Sequence, residues 1–310
     1  MISVTRRHAV LMAVLALGFA GMAPASGRSQ ELTVRHARGE TKLPSKVTPV
    51  LAFDIAALDT LDAIGVPVAG VPTGPKPAYL AKYDGKDYAK IGTLFEPDYE
   101  AVNAAEPGLI IVGGRSAPRY AELSAIAPTI DLTTRTDAYV ESAIANAETL
   151  GRIFGRTAEV GQRADNLRRS VAELKAMAAT AGKGLLILTT GGKMSAFGPG
   201  SRFGVLHTEF GIKPAVETLD VANHGQAISF EFILQANPDW LFVIDRDSAI
   251  GREGQAARQL LDNDIVRRTT AWQKGRVVYL NGTNWYLVGG GLTALQQDVD
   301  DLKAALSKAR

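Results

Sequence analysis

Apolar positions recur along this chain with two alternating periods. Residues 32–36 read as a short β-like stretch, and VTPVLAFD (47–54) is an apolar run closed by Asp54. It is followed by ALDTLDAIG, where Leu58, Leu61 and Ile64 fall on one helical face before Gly65. That pattern predicts a strand, a turn and an amphipathic helix stopped by glycine. The alternation continues with VPVAGV as a strand, YEAVNAAEPG as a helix, LIIVGG as a buried strand, RYAELSAIAP as a helix and TIDLT as a strand. Strands alternating with helices imply parallel, layered α/β sheets.

Residues 137–154 predict a further amphipathic helix ended by Gly155. Thr157 is placed to cap a longer one of about 24 residues that stops at Gly182, which at 1.5 Å per residue spans about 36 Å. Its stripe of Val160, Leu167, Val171, Leu174 and Met177 leaves a broad charged face, as expected of a rigid connector laid across a surface. The strand GLLILTT then restarts the alternation. The fold class expected is α/β: two Rossmann-like lobes with parallel sheets, joined by one long connecting helix. The boundaries expected are 1–25 for an export signal, 26–156 for an N-terminal lobe, 157–182 for the connector and 183–310 for a C-terminal lobe.

The two halves contain one unit twice. Glu100 precedes Pro107 by seven residues and Arg115 follows it by eight, and Glu231, Pro238 and Arg246 repeat both spacings at an offset of 131. Each unit reads as helix, turn, buried strand and terminal arginine. An arginine directly after a ladder strand lies at the carboxyl end of its sheet, where open α/β sheets bind ligands. Two lobes facing one another would bring Arg115 and Arg246 into one cleft from opposite walls.

Composition narrows what that cleft can hold. The chain has 310 residues, 46% hydrophobic and 21% charged, with 34 Lys and Arg against 32 Asp and Glu and no cysteine. The length suggests about two domains. Without cysteine there are no disulfides, zinc ribbons, iron–sulfur clusters or thiol catalysis. Arg6, Arg7, the apolar run 9–20 and Ala23-Pro24-Ala25 read as a cleaved export signal, with the paired arginines hinting at the twin-arginine route. Removing residues 1–25 takes two positive charges and no acids, which leaves 32 of each sign. A neutral mature chain does not fit a general nucleic-acid or membrane-surface binder. The chain offers no cysteine for lipidation, so it is expected free in a bacterial periplasm.

A third arginine, Arg202, sits in the Gly- and Pro-rich loop of FGPGSRFGVLHTEFGI, before a helix from Val205. Gly198, Gly200 and Gly204 miss the dinucleotide-binding spacing by one residue, and no acidic residue follows where that motif requires one. A loop exposing an arginine at a helix start remains an anion cradle. Of the mature histidines, His36 lies in the early strand region, and His207 lies on an apolar helix face where packing is expected. His224 lies in a polar loop before the helix of Glu231 and is expected near the cleft. Trp285 and Tyr286 precede three glycines that open the last helix. Phenolate is a hard donor suited to ferric iron and imidazole can complete its shell, so these groups with three arginines fit a polyanionic metal chelate. Catalytic motifs are absent: no G-x-S-x-G elbow, no P-loop, no H-E-x-x-H. The pair Asp59 and Asp62 reads as a solvated helix face, and Asp245 and Asp247 flank Arg246.

The strings VLAFDIAALDTLDAIG, GPGSRFG, NHGQAISFEFILQANPDWLFVIDR and NWYLVGGGL resemble the periplasmic ferric-siderophore-binding proteins of ABC importers, above all the catecholate-binding subgroup, over essentially the whole mature chain. The resemblance implies two Rossmann-like lobes on one long helix, small hinge motion and a shallow cleft. It further implies that Arg115, Arg202 and Arg246 receive the anionic iron–catecholate core with Trp285 beside them. His224 and Tyr286 would fill two iron positions when the siderophore is tetradentate. Glu100 and Glu231, one per lobe, would dock onto arginines of the inner-membrane permease. The implied protein is a monomeric carrier with no intrinsic cofactor and no catalytic residue, its ligand a ferric siderophore. A ferric tris-catecholate core carries three negative charges that three guanidiniums can match with charge-assisted hydrogen bonds and cation–π contact. Neutral hydroxamate chelates should bind more weakly. The alternatives are a cobalamin or haem carrier of the same fold and a periplasmic enzyme using His224.

Overall fold

The computed structural model describes residues 32–254 and 256–308. The expected export signal, residues 1–25, lies outside the described residues. The first lobe opens with an antiparallel hairpin of β1 (Leu32–His36) and β2 (Gly39–Leu43). It continues through β3 (Val50–Ala52), α1 (Ile55–Ala63), β4 (Gly70–Val71), β5 (Ala89–Lys90), α2 (Tyr99–Ala104), β6 (Leu109–Val112), α3 (Tyr120–Ser124), β7 (Thr129–Asp131) and α4 (Tyr139–Phe154). Its main sheet runs β5-β4-β3-β6-β7 with every pairing parallel. The apolar run of β3 extends into Phe53 and is buried throughout, because parallel strands are covered on both faces.

α5 (Thr157–Ala178) follows, a helix of 22 residues and hence about 33 Å long. It begins one residue earlier in register than the capping argument implied: Arg156 occupies the N-cap without a side-chain bond, and Thr157 is already inside the helix. The predicted stripe is the packed one, with Val160, Leu167 and Leu174 buried and Val171 and Met177 partly so.

The second lobe contains β8 (Lys183–Thr190), β9 (Lys193–Phe197), α6 (Val205–Thr208), β10 (Lys213–Pro214), β11 (Gln226–Ile228), α7 (Phe230–Ala236), β12 (Trp240–Asp245), α8 (Arg246–Ala249), α9 (Ala257–Leu261), α10 (Thr270–Gln273) and β13 (Val277–Tyr279). A π-helical turn (Thr283–Val288) and α11 (Leu292–Lys308) close the chain. The sheet order is β11-β9-β8-β12-β13, with β10 also on β8. This sheet is mixed, which corrects the expectation of parallel sheets in both lobes: β9 runs antiparallel to β8 and to β11. The cause is local. Gly191 and Gly192 both have positive φ, +54° and +74°, the two-residue turn that folds a strand straight back on itself.

Two long-range devices join the lobes. Glu209, just past α6, accepts from the amides of Tyr139 (2.6 Å) and Val140 (3.0 Å) and so caps α4 of the other lobe. α11 does not stay with the second lobe but packs along α1 and α5. Its first amides, those of Thr293 and Ala294, donate to the Asp59 carboxylate at 2.8 and 3.0 Å. Asp59 is fully buried and is not the solvated helix face expected of it. One face of each sheet contributes to a single core that includes Ala52, Ile111, Leu186 and Phe242.

Candidate functional site

The repeated unit is built the same way in both lobes. Asp98 caps α2 by accepting from the Ala101 amide at 3.0 Å, and Ser229 caps α7 by accepting from Phe232 at 3.3 Å. Each helix starts with its exposed glutamate, Glu100 or Glu231, in the first turn. Each then feeds a buried strand, β6 or β12, whose carboxyl end delivers Arg115 or Arg246. Arg202 comes from the loop after β9 rather than directly after β8.

All three guanidiniums close on one side chain. The Tyr286 ring has the guanidinium carbons of Arg115, Arg202 and Arg246 at 5.0, 4.8 and 5.3 Å from its centroid. Arg246 Nε donates to Tyr286 Oη at 2.8 Å, and its Nη1 donates to Thr190 Oγ1 at 3.2 Å. Arg115 crosses from the first lobe to donate to the carbonyls of Tyr286 and, at 3.3 Å, Leu287. Arg202 donates to the same Tyr286 carbonyl at 3.4 Å. The π-helical turn leaves these carbonyls without the usual partners of a continuing helix, and the arginines take them.

Carboxylates balance this charge only in part. Among the described residues neither Arg115 nor Arg202 forms an ion pair with a carboxylate, and Arg246 reaches Asp247 only at 3.9 Å. Asp247 is itself engaged by the Gly191 amide and the Thr190 hydroxyl. Burial, and then the Arg115 charge, holds the Arg202 guanidinium below its ordinary pKa. For Tyr286 burial acts upward, but the hydrogen bond from Arg246 and the three positive charges outweigh it, and the phenol lies below its ordinary value. The arrangement is a cationic ring around a phenol of lowered pKa, a setting that suits an anion with several negative charges.

A cavity of about 180 Å³ lies against Arg115, Arg202 and Tyr286 of this ring, with Asp54, Thr134, Tyr139 and Phe203 in its walls. Sequence reasoning did not single these out, although Asp54 stands at a strand's carboxyl end just as the arginines do. The Asp54 carboxyl is pushed up to about 6, chiefly by burial and also by Asp131, against the amides of Ala57 and Ala56 and the Arg115 charge. Gly113 leaves room for it: a Cβ there would sit 2.8 Å from Asp54 Oδ2. A larger recess of about 470 Å³ between α5 and α11 mixes Arg163 and Arg169 with Glu173 and Asp300 and contains none of these groups.

The other sequence-predicted residues are placed as follows. Trp285 also lines the 180 Å³ cavity but is only 6% exposed, packs edge-on to Phe210 and leaves its indole N–H unpartnered. His224 is exposed on the turn before β11 and is not among the residues lining that cavity. Its segment lies against the Arg202 loop: a Cβ on Gly225 would sit 2.7 Å from the Ala196 carbonyl, and one on Gly200 would sit 3.8 Å from Val221. His207 is packed as expected, its ring 2.8 Å from the Ile212 carbonyl. Among the described residues no group of three or more His, Asp or Glu side chains is placed to hold a metal ion.

Comparison with known proteins adds a family. The family described as periplasmic binding protein matches residues 50–283. The petrobactin-binding protein YclQ of Bacillus subtilis is 42% identical over 286 residues, 91% of this chain and 90% of its own. Its crystal structure superposes with a TM-score of 0.86, covering 89% of this chain and 99% of that one. The ferric-anguibactin-binding protein FatB of Vibrio anguillarum is 31% identical, with 87% and 86% covered. The periplasmic catecholate-siderophore-binding protein VctP of Vibrio cholerae is 34% identical, with a TM-score of 0.85 and 89% and 100% covered.

Proposed function

We propose a function from the premise that this chain belongs to the periplasmic binding protein family: it captures a ferric siderophore in the cleft between its lobes and delivers it to the permease of an ABC importer for iron uptake. The observation that carries this reading is the ring of Arg115, Arg202 and Arg246 around Tyr286, with no ion-paired carboxylate for the first two. Such a ring is costly to bury empty and matches an anionic iron–catecholate core. It would bind the core through charge-assisted hydrogen bonds and lay guanidinium faces on the catechol rings. The siderophores in the names of YclQ, FatB and VctP support the same class.

The finer assignments rest on the same site. Tyr286, lowered in pKa, supplies a phenolate oxygen to iron when the chelate leaves positions open. His224 supplies the second donor once its turn folds inward over the Arg202 loop. Trp285 backs the ring and reports binding through its fluorescence. Glu100 and Glu231, at matched positions on the two lobes, meet basic residues of the permease. The carrier acts as a free, unlipidated monomer in the periplasm and performs no chemistry on its cargo. A cobalamin or haem carrier would leave part of this cationic ring unmatched.

The test is titration of the mature protein with ferric tetradentate and hexadentate catecholates, following tryptophan quenching and the visible charge-transfer band. Binding with a shift of the tetradentate band that Tyr286→Phe and His224→Ala each abolish is the expected result. Absence of binding below the micromolar range for either chelate overturns the siderophore reading.

A further inference from the structure

The cationic ring has an apolar annex. A second cavity, of about 320 Å³, shares Arg115, Tyr286, Ile55, Leu94 and Leu287 with the first, leaves Asp54, Thr134 and Arg202 behind and adds Arg246 at its edge. Its remaining sides include Pro75 and Phe95 of the first lobe and Ile250 of the second. Ile250 ends α8, one turn beyond Arg246, and both line this cavity. The far end is where the lobes meet: a Cβ on Gly251 would lie 3.7 Å from Pro75 Cγ.

The annex walls are prebuilt. The tip carrying Leu94 and Phe95 is tied by Thr93, whose hydroxyl accepts from the amides of Phe95 (3.2 Å) and Glu96 (3.0 Å). Arg119 Nε holds the Phe95 carbonyl at 3.2 Å, and Thr73 binds the Gly92 carbonyl through both its amide (2.8 Å) and its hydroxyl (2.9 Å). This fixed loop holds Phe95 59% exposed. Phe95 lines the cavity together with Ile55, Leu94, Ile250 and Leu287, a contiguous apolar lining rather than one scattered surface side chain.

We infer that the annex is a specificity subsite for an uncharged hydrocarbon or aryl arm of the ligand, so that the preferred cargo is an amphipathic chelate: a polyanionic head on the arginines and an apolar arm against Leu94, Phe95 and Ile250. The inference rests on the proposed siderophore function for the head and on the cavity's own walls for the arm. A compact chelate that is polar all round leaves the annex wet and gains nothing from it.

The test compares two ferric bis-catecholates of equal charge, one bare and one with a pendant butyl chain. Each buried methylene strengthens binding about fourfold, so the wild type should prefer the butyl compound by at least tenfold. Phe95→Ser, at an exposed position that folding does not depend on, and Ile250→Ala should each cut that preference to about twofold or less while holding the bare compound near its wild-type affinity. No preference in the wild type, or one that survives both substitutions, overturns the subsite. If neither chelate binds, the siderophore reading falls and an anilinonaphthalene sulfonate decides the annex by itself. Fluorescence enhancement that both variants lose sustains it, and equal or absent enhancement in wild type and variants overturns it.

Discussion

Arg246 Nε donates to Tyr286 Oη at 2.8 Å, a contact between the end of one strand and a π-helical turn 40 residues later in the chain. It is the strongest of the influences that lower the phenol's pKa, ahead of the longer-range charges of Arg115 and Arg202. Removing it leaves burial, which acts upward, opposed only by the charges of Arg115 and Arg202. Arg246→Met should therefore move the Tyr286 titration to higher pH, measured as the tyrosinate absorbance difference between each protein and its Tyr286→Phe counterpart. An unchanged midpoint would show that Arg246 does not set the phenol's acidity.

The same ring predicts a conflict between binding and stability. Arg115 and Arg202 repel one another across a part-buried site with no carboxylate paired to either. Arg202→Met should weaken ferric-catecholate binding about 10- to 100-fold, the worth of a hydrogen bond to a charged group. In the ligand-free protein it should hold or raise Tm, by about 2–4 °C for each kcal/mol of repulsion relieved. Calorimetry with and without chelate checks both halves.

How much of this was legible in the sequence follows from the range of each interaction. The 131-residue match placed Arg115 and Arg246 at strand ends, because strand, turn and arginine are one local unit. Their convergence on Tyr286 follows from the two lobes facing one another. The β8–β9 hairpin has a local signal in Gly191-Gly192, which two strand-like runs in one stretch of sequence mask, and it makes the second sheet mixed rather than parallel. The buried role of Asp59 was not legible, since its amide partners lie 234 and 235 residues away. The exposed turn of His224 ahead of α7 was legible from its polar loop.

Asp54 carries a pH signature. Its folded pKa of about 6 stands above the roughly 3.9 of an unfolded aspartate, so the folded state holds the proton more tightly. Stability is full below about pH 4, falls as pH rises to about 6 and stays lowered above that. The loss is on the order of 2–3 kcal/mol. Asp54→Asn keeps the cap on the Ala57 amide and should flatten that interval in denaturant melts taken between pH 4 and 7. A wild-type curve already flat there would refute the assignment.

Glu100 and Glu231 are exposed in the first turns of α2 and α7 and line neither cavity at the ring. Glu100→Gln and Glu231→Gln should leave chelate affinity within about twofold, since screened surface charges contribute little. Uptake in vesicles holding the cognate importer should drop with either change and drop further with both. Equal loss of binding and uptake would place them in the ligand site instead of a docking surface.

Asp59 tests whether the last helix positions the site. Its carboxylate accepts from Thr293, Ala294 and the Tyr79 hydroxyl, the last at 2.6 Å. Gly291 admits it, since a Cβ there would stand 2.5 Å from Asp59 Cγ. The chain runs from this cap back through three glycines to Tyr286, so a loosened α11 frees the π-helical turn. Asp59→Ala strands three donors, one buried and two part-buried, and should cost about 2–4 kcal/mol. Asp59→Asn retains an acceptor without the burial cost of a charge and should cost less. Both should weaken chelate binding more than Asp54→Asn does, because they act on the placement of Tyr286 and Arg115 rather than on cavity charge. Wild-type affinity in a destabilised Asp59→Ala would show that the arginines hold Tyr286 in place without help from α11.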